Sequence, residues 1–555
     1  MGFNESFLRS GRRVLRPTRL RNYTAALVST VLVLGGCTSS EIDQVTAGGV
    51  FKGVAVADEP LAAQAAMDML AQGGSAADAV VAAYFTLAVT YPSAASMGGG
   101  GVCMVEDWSR GQVLSLDFVA PRSSATDARR ATAVPANVRG MAALQARYGN
   151  LDWRTVLAPA EKIARFGEPL TRASASAYAA GGEKLYAQFE SRAIFSSQGG
   201  LPREGSIFKQ SDLANVLADI RVNGAMSMYS GGLADKLVKA VAQAGGSLAR
   251  EDLWNFKPIW QNVPGVPYGN ERAYFSPPPA GAGLIAGQMW QMLSAGDRYA
   301  DADRTERYHL LAETARRAFA GRAQWLADDG TKIQIGDLLS AAAAESSMAD
   351  FDPKAAGGAG TADNADNADN GPPNRSGAPA STGVVAMDYL GGAVACNFTA
   401  YRQFGTGLVA PGTGILLAPS PEPSDRNPLS LGAAMVFNPT VRSVKFVATG
   451  GDGADGATAL ADAVAATMLG EQRLDREIGR PRVHQAGGNK LYVEEGLGDD
   501  VIAALEAKGH SVAVVPSLGR VNAIDCPPGY PVTPDKTLCW AEADPRGFGL
   551  AAFPE

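Results

Sequence analysis

The chain has 555 residues, 46% of them apolar, enough for a sizeable core and, by length alone, for two or more domains. A formal net charge of -7 leaves no basic footprint for nucleic acid, and no nucleic-acid partner is expected. Its three histidines, His309, His484 and His510, stand far apart, which gives a zinc site or a Ser-His-Asp triad little to draw on; each reads as structural or exposed.

The chain opens with Arg9, Arg12, Arg13, Arg16, Arg19 and Arg21, followed by an apolar run over residues 25–34 that is too short to span a bilayer as a helix. Leu34-Gly35-Gly36-Cys37 resembles a bacterial lipoprotein box, in which Cys37 becomes the lipidated N-terminus; the plainer reading is a signal peptide that ends near a cysteine. The expectation is export, removal of residues 1–36 and a periplasmic protein tethered to a membrane by lipid.

Residues 53–57 read as a strand. Pro60 then opens a helix with Leu61, Ala65, Met69 and Leu70 near helical spacing, which Gly73-Gly74 ends. Residues 76–90 are almost entirely apolar and longer than a usual strand, so they read as a buried helix. The four glycines 98–101 lead into a strand at 102–105; without a following Lys-Ser or Lys-Thr they read as close backbone packing rather than a phosphate loop. A strand at 115–118 follows, then helices over 135–148 and 152–166, the second capped by Asp152. Further helices are expected over 210–223, 232–243 and 304–326, with Pro277 to Pro279 as a rigid connection. This alternation argues for a mixed α/β architecture.

Residues 355–380 change character. Glycines, three Ala-Asp-Asn repeats over 362–370 and several prolines make a low-complexity linker that cannot bury a core. Beyond it lies a β-hairpin with its turn at Asp388 and Gly391-Gly392, and a small hydroxyl residue, Ser381, at its start. A cut just before Ser381 would leave a hydroxyl and a free α-amine on one residue. An α-amine titrates at roughly 7.7 to 8.0 and can serve as base for that hydroxyl. Further on, a strand at 443–449 runs into the glycine-rich turn 450–456 and a helix-like run over 459–469; such a turn presents backbone amides of the kind an oxyanion hole needs. Cys103 and Cys396 lie in apolar runs and read as small core residues. Cys526 and Cys539 flank a proline-rich loop; in an oxidising compartment they are expected to form a disulfide, and otherwise they are two buried thiols.

The hairpin with Phe404-Gly405-Thr406-Gly407 and Ile415-Leu416-Leu417 resembles the start of the small subunit of the γ-glutamyltransferases, self-cleaving N-terminal-nucleophile hydrolases. Gly73-Gly74-Ser75-Ala76-Ala77-Asp78-Ala79, Pro277-Pro278-Pro279-Ala280-Gly281 and Asp544-Pro545-Arg546 extend the likeness over almost the whole exported chain. The resemblance implies an α/β (α+β) four-layer αββα sandwich, assembled from a large part (37–354, with the linker 355–380) and a small part (381–555) that stay together as a heterodimer. It implies no cofactor and no metal. Ser381 would be the nucleophile in place of the family's threonine, with Thr382 as the local alternative. Thr399 would support it, and Gly453 and Ala454 would be the oxyanion donors.

The donor-binding side chains depart from the family. Val119 stands where an arginine would hold the donor carboxylate, with Arg122 as a candidate substitute. Tyr401 replaces an asparagine, Ser420 and Pro423 replace glutamine and aspartate, and of a serine pair only Ser430 remains, beside Leu431. Specificity should therefore change sharply. Three readings follow. The first is an acyl-transferring or amide-hydrolysing enzyme for a small-molecule amide such as the γ-glutamyl bond of glutathione. The others are a catalytically silent, lipid-tethered binding protein and an acylase for a non-glutamyl chain.

Overall fold

A strand that is apolar on both faces has to be covered on both, and Ser381–Asp388 is of this kind, buried along its whole length. Val385 and Met387 point into the space between two sheets, whereas Val384 and Ala386 pack beneath helices. The structure is a computed structural model that describes residues 52–125, 132–197, 199–322, 325, 335–357, 380–421, 428–486, 490–530 and 539–553. The export segment with Cys37, most of the low-complexity linker, and Pro423 lie outside the described residues.

Strands are numbered β1 (Gly53–Ala57), β2 (Gly100–Asp107), β3 (Gln112–Phe118), β4 (Ile259–Asn262), β5 (Gly265–Tyr268), β6 (Glu271–Phe275), β7 (Ser381–Asp388), β8 (Ala393–Thr399), β9 (Gly432–Asn438), β10 (Ser443–Gly451), β11 (Arg520–Tyr530), β12 (Trp540–Glu542) and β13 (Leu550–Ala552). One seven-stranded sheet has the order β13-β1-β7-β8-β2-β3-β4, and a six-stranded sheet has the order β12-β11-β10-β9-β6-β5. The β7–β8 hairpin thus lies inside the first sheet, in the register Ser381 opposite Thr399, with Thr399 opposite Gly100 on β2. Met104, Val385 and Ala395 of the first sheet meet Met435, Val447 and Ile524 of the second in one inter-sheet core.

Helices cover both outer faces. On the first sheet lie α1 (Pro60–Ala71), α2 (Ala76–Thr90), α3 (Asn137–Tyr148), α4 (Trp153–Phe166), α5 (Ser211–Asn223) and α6 (Gly232–Gln243). On the second lie α7 (Gly281–Ser294), α8 (Arg304–Ala320) and α9 (Ala454–Met468). The result is the four-layer αββα sandwich. Helix α2 is buried all round, and its N-terminus is fixed by a reciprocal pair: Ser75 Oγ accepts from Asp78 N–H and Asp78 accepts from Ser75 N–H; a cap of this kind contributes about 1 kcal/mol. The 98–101 glycines are packing residues: a Cβ at Gly99 would lie 2.2 Å from Thr399 O and one at Gly100 2.2 Å from Ala120 N.

Several expectations need correction. From residue 52 on, the described residues form one compact unit rather than separate domains, since both halves of the chain contribute to the inter-sheet core. Cys103 and Cys396 are buried, as expected, but they are joined in a disulfide, because the β2–β8 register sets them face to face. The expected Cys526–Cys539 disulfide is present. Asp152 stands at the start of α4, yet its side chain makes no capping bond; its carbonyl accepts from Thr155 and Val156 instead. Helix α9 begins at Ala454, five residues before the apolar run, so Gly456 lies in its first turn.

Glu106 on β2 is a polar group inside this core. It is 3% exposed, and neither carboxyl oxygen has a hydrogen-bond partner among the described residues. Burial, with the charges of Asp388 and Asp107, pushes its carboxyl from an ordinary 4.5 up to about 9, against the pull of Arg442. Between those values the folded protein holds a proton that the unfolded chain has lost, so this group removes stability as pH rises through the window, by at most about 1.4 kcal/mol per pH unit. Thermal unfolding of Glu106→Gln beside the unmodified protein at pH 5 and pH 8 should show the variant gaining stability relative to the parent at pH 8. An equal difference at both pH values would contradict this assignment.

Candidate active site

Ser381 opens β7 and Thr399 closes β8, and the register sets them opposite each other on the face turned toward the second sheet. There β10 ends at Gly451, beside Ser381: a Cβ on Gly451 would lie 3.1 Å from Ser381 Oγ. Asp452 N–H donates to Ser381 Oγ at 2.9 Å, bridging the sheets at the hydroxyl itself. Asn397, fully buried on the same face of β8, adds a second tie by donating to Gly450 O at 2.7 Å.

The Thr399 hydroxyl has one proton, and its direction is fixed. Its oxygen accepts from Tyr401 N–H at 2.9 Å, and it donates to Ala380 O at 2.7 Å. The carbonyl held in this way belongs to the peptide bond just before Ser381. In one place the structure therefore brings together a buried serine hydroxyl, a backbone N–H on that hydroxyl, and an O–H donor on the adjacent carbonyl. Neighbouring side chains of a strand point to opposite faces, and Thr382 accordingly turns the other way. Its hydroxyl donates to Asp58 Oδ2 at 2.8 Å, a carboxylate that also receives Gly383 N–H and the Asn522 amide.

Asp452 carries the turn. Its φ is +84°, in the region that favours glycine, and its carboxylate forms an ion pair with Arg520 Nε at 2.5 Å. Arg520 in turn donates to the Tyr91 hydroxyl at 3.3 Å. Burial raises the Asp452 carboxyl while Arg520 opposes the shift, and burial pushes the Tyr91 phenol up to about 12. The amide that reaches Ser381 is thus one residue ahead of Gly453, which caps α9, and two ahead of Ala454, its first residue.

The expected substrate-binding residues are distributed as follows. Tyr401 has φ +63° and its hydroxyl donates to Ala120 O. Arg122 is exposed and Ser420 buried; they flank the short 132–133 segment, where Arg122 bridges to Ala133 and Thr132 to Pro419. Ser430 is half-buried in the turn before Leu431. Leu431 itself is fully buried against Val102 and Ala280, with Val119 packed on that cluster. All three histidines are buried and engaged elsewhere: His309 pairs with His510 at 2.8 Å, and His484 with Thr458 Oγ1 at 2.8 Å. Burial holds His510 near 4 and His484 near 3, so neither is charged at neutral pH. Among the described residues, no three His, Cys, Asp or Glu side chains converge in a way that could hold a metal ion. A cavity of 510 Å³, lined by Asp107, Trp108, Arg147 and Asp388, lies at the other end of β7, about 20 Å from Ser381 by strand length.

Sequence reasoning did not reach the Asp452 amide, the Asn397 tie, the Asp58 anchor or the Arg520 ion pair. The one available signal was an Asp beside glycine at the end of a strand, Gly450-Gly451-Asp452-Gly453.

A family model described as Gamma-glutamyltranspeptidase matches residues 62–553. The glutathione hydrolase proenzyme of Escherichia coli (strain K12) is 28% identical over 541 residues, covering 89% of this chain and 90% of its own. That of Bacillus subtilis (strain 168) is 26% identical, covering 90% and 93%. Among solved structures, cephalosporin acylase from Bacillus halodurans superposes with a TM-score of 0.75 at 23% identity, covering 91% of this chain and 96% of that one. The γ-glutamyltranspeptidase of Helicobacter pylori superposes with a TM-score of 0.52 at 26% identity, covering 56% and 95%. With the fold, the order of motifs and a family match over most of its length in agreement, this chain belongs to the γ-glutamyltranspeptidase family.

Proposed function

We propose that this protein is a self-processing N-terminal-nucleophile enzyme that cleaves or transfers an acyl group through an acyl-enzyme on Ser381. The observation that carries the reading is the Thr399 hydroxyl on Ala380 O beside a Ser381 Oγ fixed by the Asp452 amide. In the first step Ser381 Oγ bonds to the Ala380 carbonyl carbon and the Ala380–Ser381 C–N bond breaks. The freed amine takes up the hydroxyl proton. Thr399 O–H stabilises the negative charge that develops on Ala380 O. Water then hydrolyses the resulting ester, leaving the Ala380 carboxylate and a Ser381 that bears both hydroxyl and α-amine.

In turnover the α-amine takes the Oγ proton as Oγ attacks a substrate amide, and the same proton goes to the leaving amine. Water or an amine acceptor resolves the acyl-enzyme. Asp452 N–H is the backbone donor closest to this chemistry, with Gly453 and Ala454 next in the chain. Thr382 is the weaker candidate for nucleophile, because its hydroxyl serves Asp58. Glutathione hydrolase relatives favour a γ-glutamyl amide as donor, with Tyr401, Ser420, Ser430 and Arg122 as candidate contacts. A non-glutamyl acyl chain is the second reading, favoured by the apolar cluster of Val102, Ala280 and Leu431 with Val119. The basic and apolar start of the chain, Cys37 and two disulfides support an exported, lipid-anchored protein of an oxidising compartment. Among the described residues no helix is long and apolar enough to cross a membrane.

Intact-mass measurement of purified protein lacking the segment up to Cys37, after reduction, should show two fragments with Ser381 as the new N-terminus. A Ser381→Ala variant should give one chain. An unmodified protein that stays whole through long incubation would favour the silent, binding role instead. Thr399→Val, which keeps shape but removes the donor, should slow self-cleavage by about a hundredfold; cleavage at the parental rate would remove Thr399 from the mechanism.

A further inference from the structure

The turn that supplies the Ser381 contact is built in an unusual way. Asp452 and Gly453 both have positive φ, +84° and +107°. Glycine adopts that region freely, whereas a residue with a Cβ does so only when its surroundings impose it. Here they do. The Asp452 carboxylate is held by Arg520 Nε, Arg520 is steadied by Tyr91 OH, and the preceding residue, Gly519, donates its N–H to Asp455 Oδ2 at 2.9 Å. Arg520 belongs to β11, which pairs with β10 in the register Arg520 opposite Gly451. The ion pair therefore spans the end of β10, where the chain turns from strand into α9.

Resting on the reading of Ser381 as the nucleophile, we propose that the Asp452–Arg520 ion pair is a positioning device, which locks residue 452 in a left-handed backbone conformation so that its N–H points at Ser381 Oγ. Asp452 acts on the nucleophile through its amide, and Arg520 through Asp452. The side chain at 452 thereby does by charge pairing what a glycine there would do only by permission. Removing the carboxylate while keeping a Cβ loses both the anchor and the intrinsic tolerance for this φ. Substituting glycine loses only the anchor.

The test compares Asp452→Ala, Asp452→Gly and Arg520→Lys with the unmodified chain by rate of self-cleavage, and by hydrogen exchange at the amide of residue 452. Asp452→Ala is expected to cleave about ten- to a hundredfold more slowly. Asp452→Gly should recover a large part of that loss, and Arg520→Lys should fall between Asp452→Ala and the parent. The glycine rescue separates positioning from a merely structural role, which glycine, with no side chain to bury, would not restore. Exchange at 452 should be faster in Asp452→Ala and Arg520→Lys than in the parent. Parental cleavage by Asp452→Ala, or Asp452→Gly no faster than Asp452→Ala, would overturn the proposal while leaving Ser381 as nucleophile. If the unmodified chain does not cleave, the enzyme reading fails, and exchange alone decides: equal protection in parent and Asp452→Ala would overturn the lock as well.

Discussion

The Ser381–Asp452 contact is possible only because two sheets approach closely at one end, and much of the local sequence serves that approach. Gly451 leaves room for the serine hydroxyl, and Gly383, two residues into β7, lies against Thr449, where a Cβ would come within 2.0 Å of its hydroxyl oxygen. Asn397 ties β8 to the carbonyl of Gly450. A bulkier side chain at either glycine would separate the sheets and take the amide away from the hydroxyl, so small residues there maintain a distance rather than confer flexibility. Farther along the sheets, Val385, Met387, Met435 and Ile524 fill the gap with apolar volume. Burying each such side chain contributes about 1.5 to 3 kcal/mol, and this burial holds the polar end in register.

The polar end has a cost that the surrounding network offsets. Asp58 is buried and Asp452 and Arg520 are largely so, with side chains 13% and 11% exposed, and unpaired charges there would be expensive. Asp58 is satisfied by Thr382, Gly383 and Asn522; Asp452 pairs with Arg520 through Oδ2, while its Oδ1 has no hydrogen-bond partner among the described residues. The second residue of β7 thus does structural work on one face of the strand while the first faces the chemistry on the other. A one-residue slip in register would exchange these roles.

Much of this was legible in the sequence where one segment carries its own signal. Helix α2 is visible as an apolar run too long for a strand, and the β7–β8 hairpin as two β-rich runs about a glycine turn. Ser381 could be located because a small hydroxyl residue stands where low-complexity chain becomes strand. What was not legible depends on partners distant in sequence or on main-chain atoms. Cys103 and Cys396 are separated by 293 positions, and only strand register reveals that they face each other. The Asp452 amide has no side-chain signature, and its anchor, Arg520, lies on another strand. The start of α9 is obscured in the sequence because Gly456 in its first turn looks like loop, although Gly451 O, which a Cβ there would meet at 2.0 Å, leaves no space for a larger residue.

The Cys103–Cys396 bond lies across the boundary that self-cleavage would create. Cys103 precedes the Ala380–Ser381 bond and Cys396 follows it, whereas Cys526 and Cys539 both follow it. Cutting the backbone would therefore not yield two independent polypeptides. They would remain one covalent molecule, cross-linked through the central strands of the nucleophile-bearing sheet. Such a heterodimer cannot be lost by dilution: the two parts stay at a high, fixed effective concentration, so the active arrangement would depend on the redox state of its surroundings rather than on the abundance of its parts.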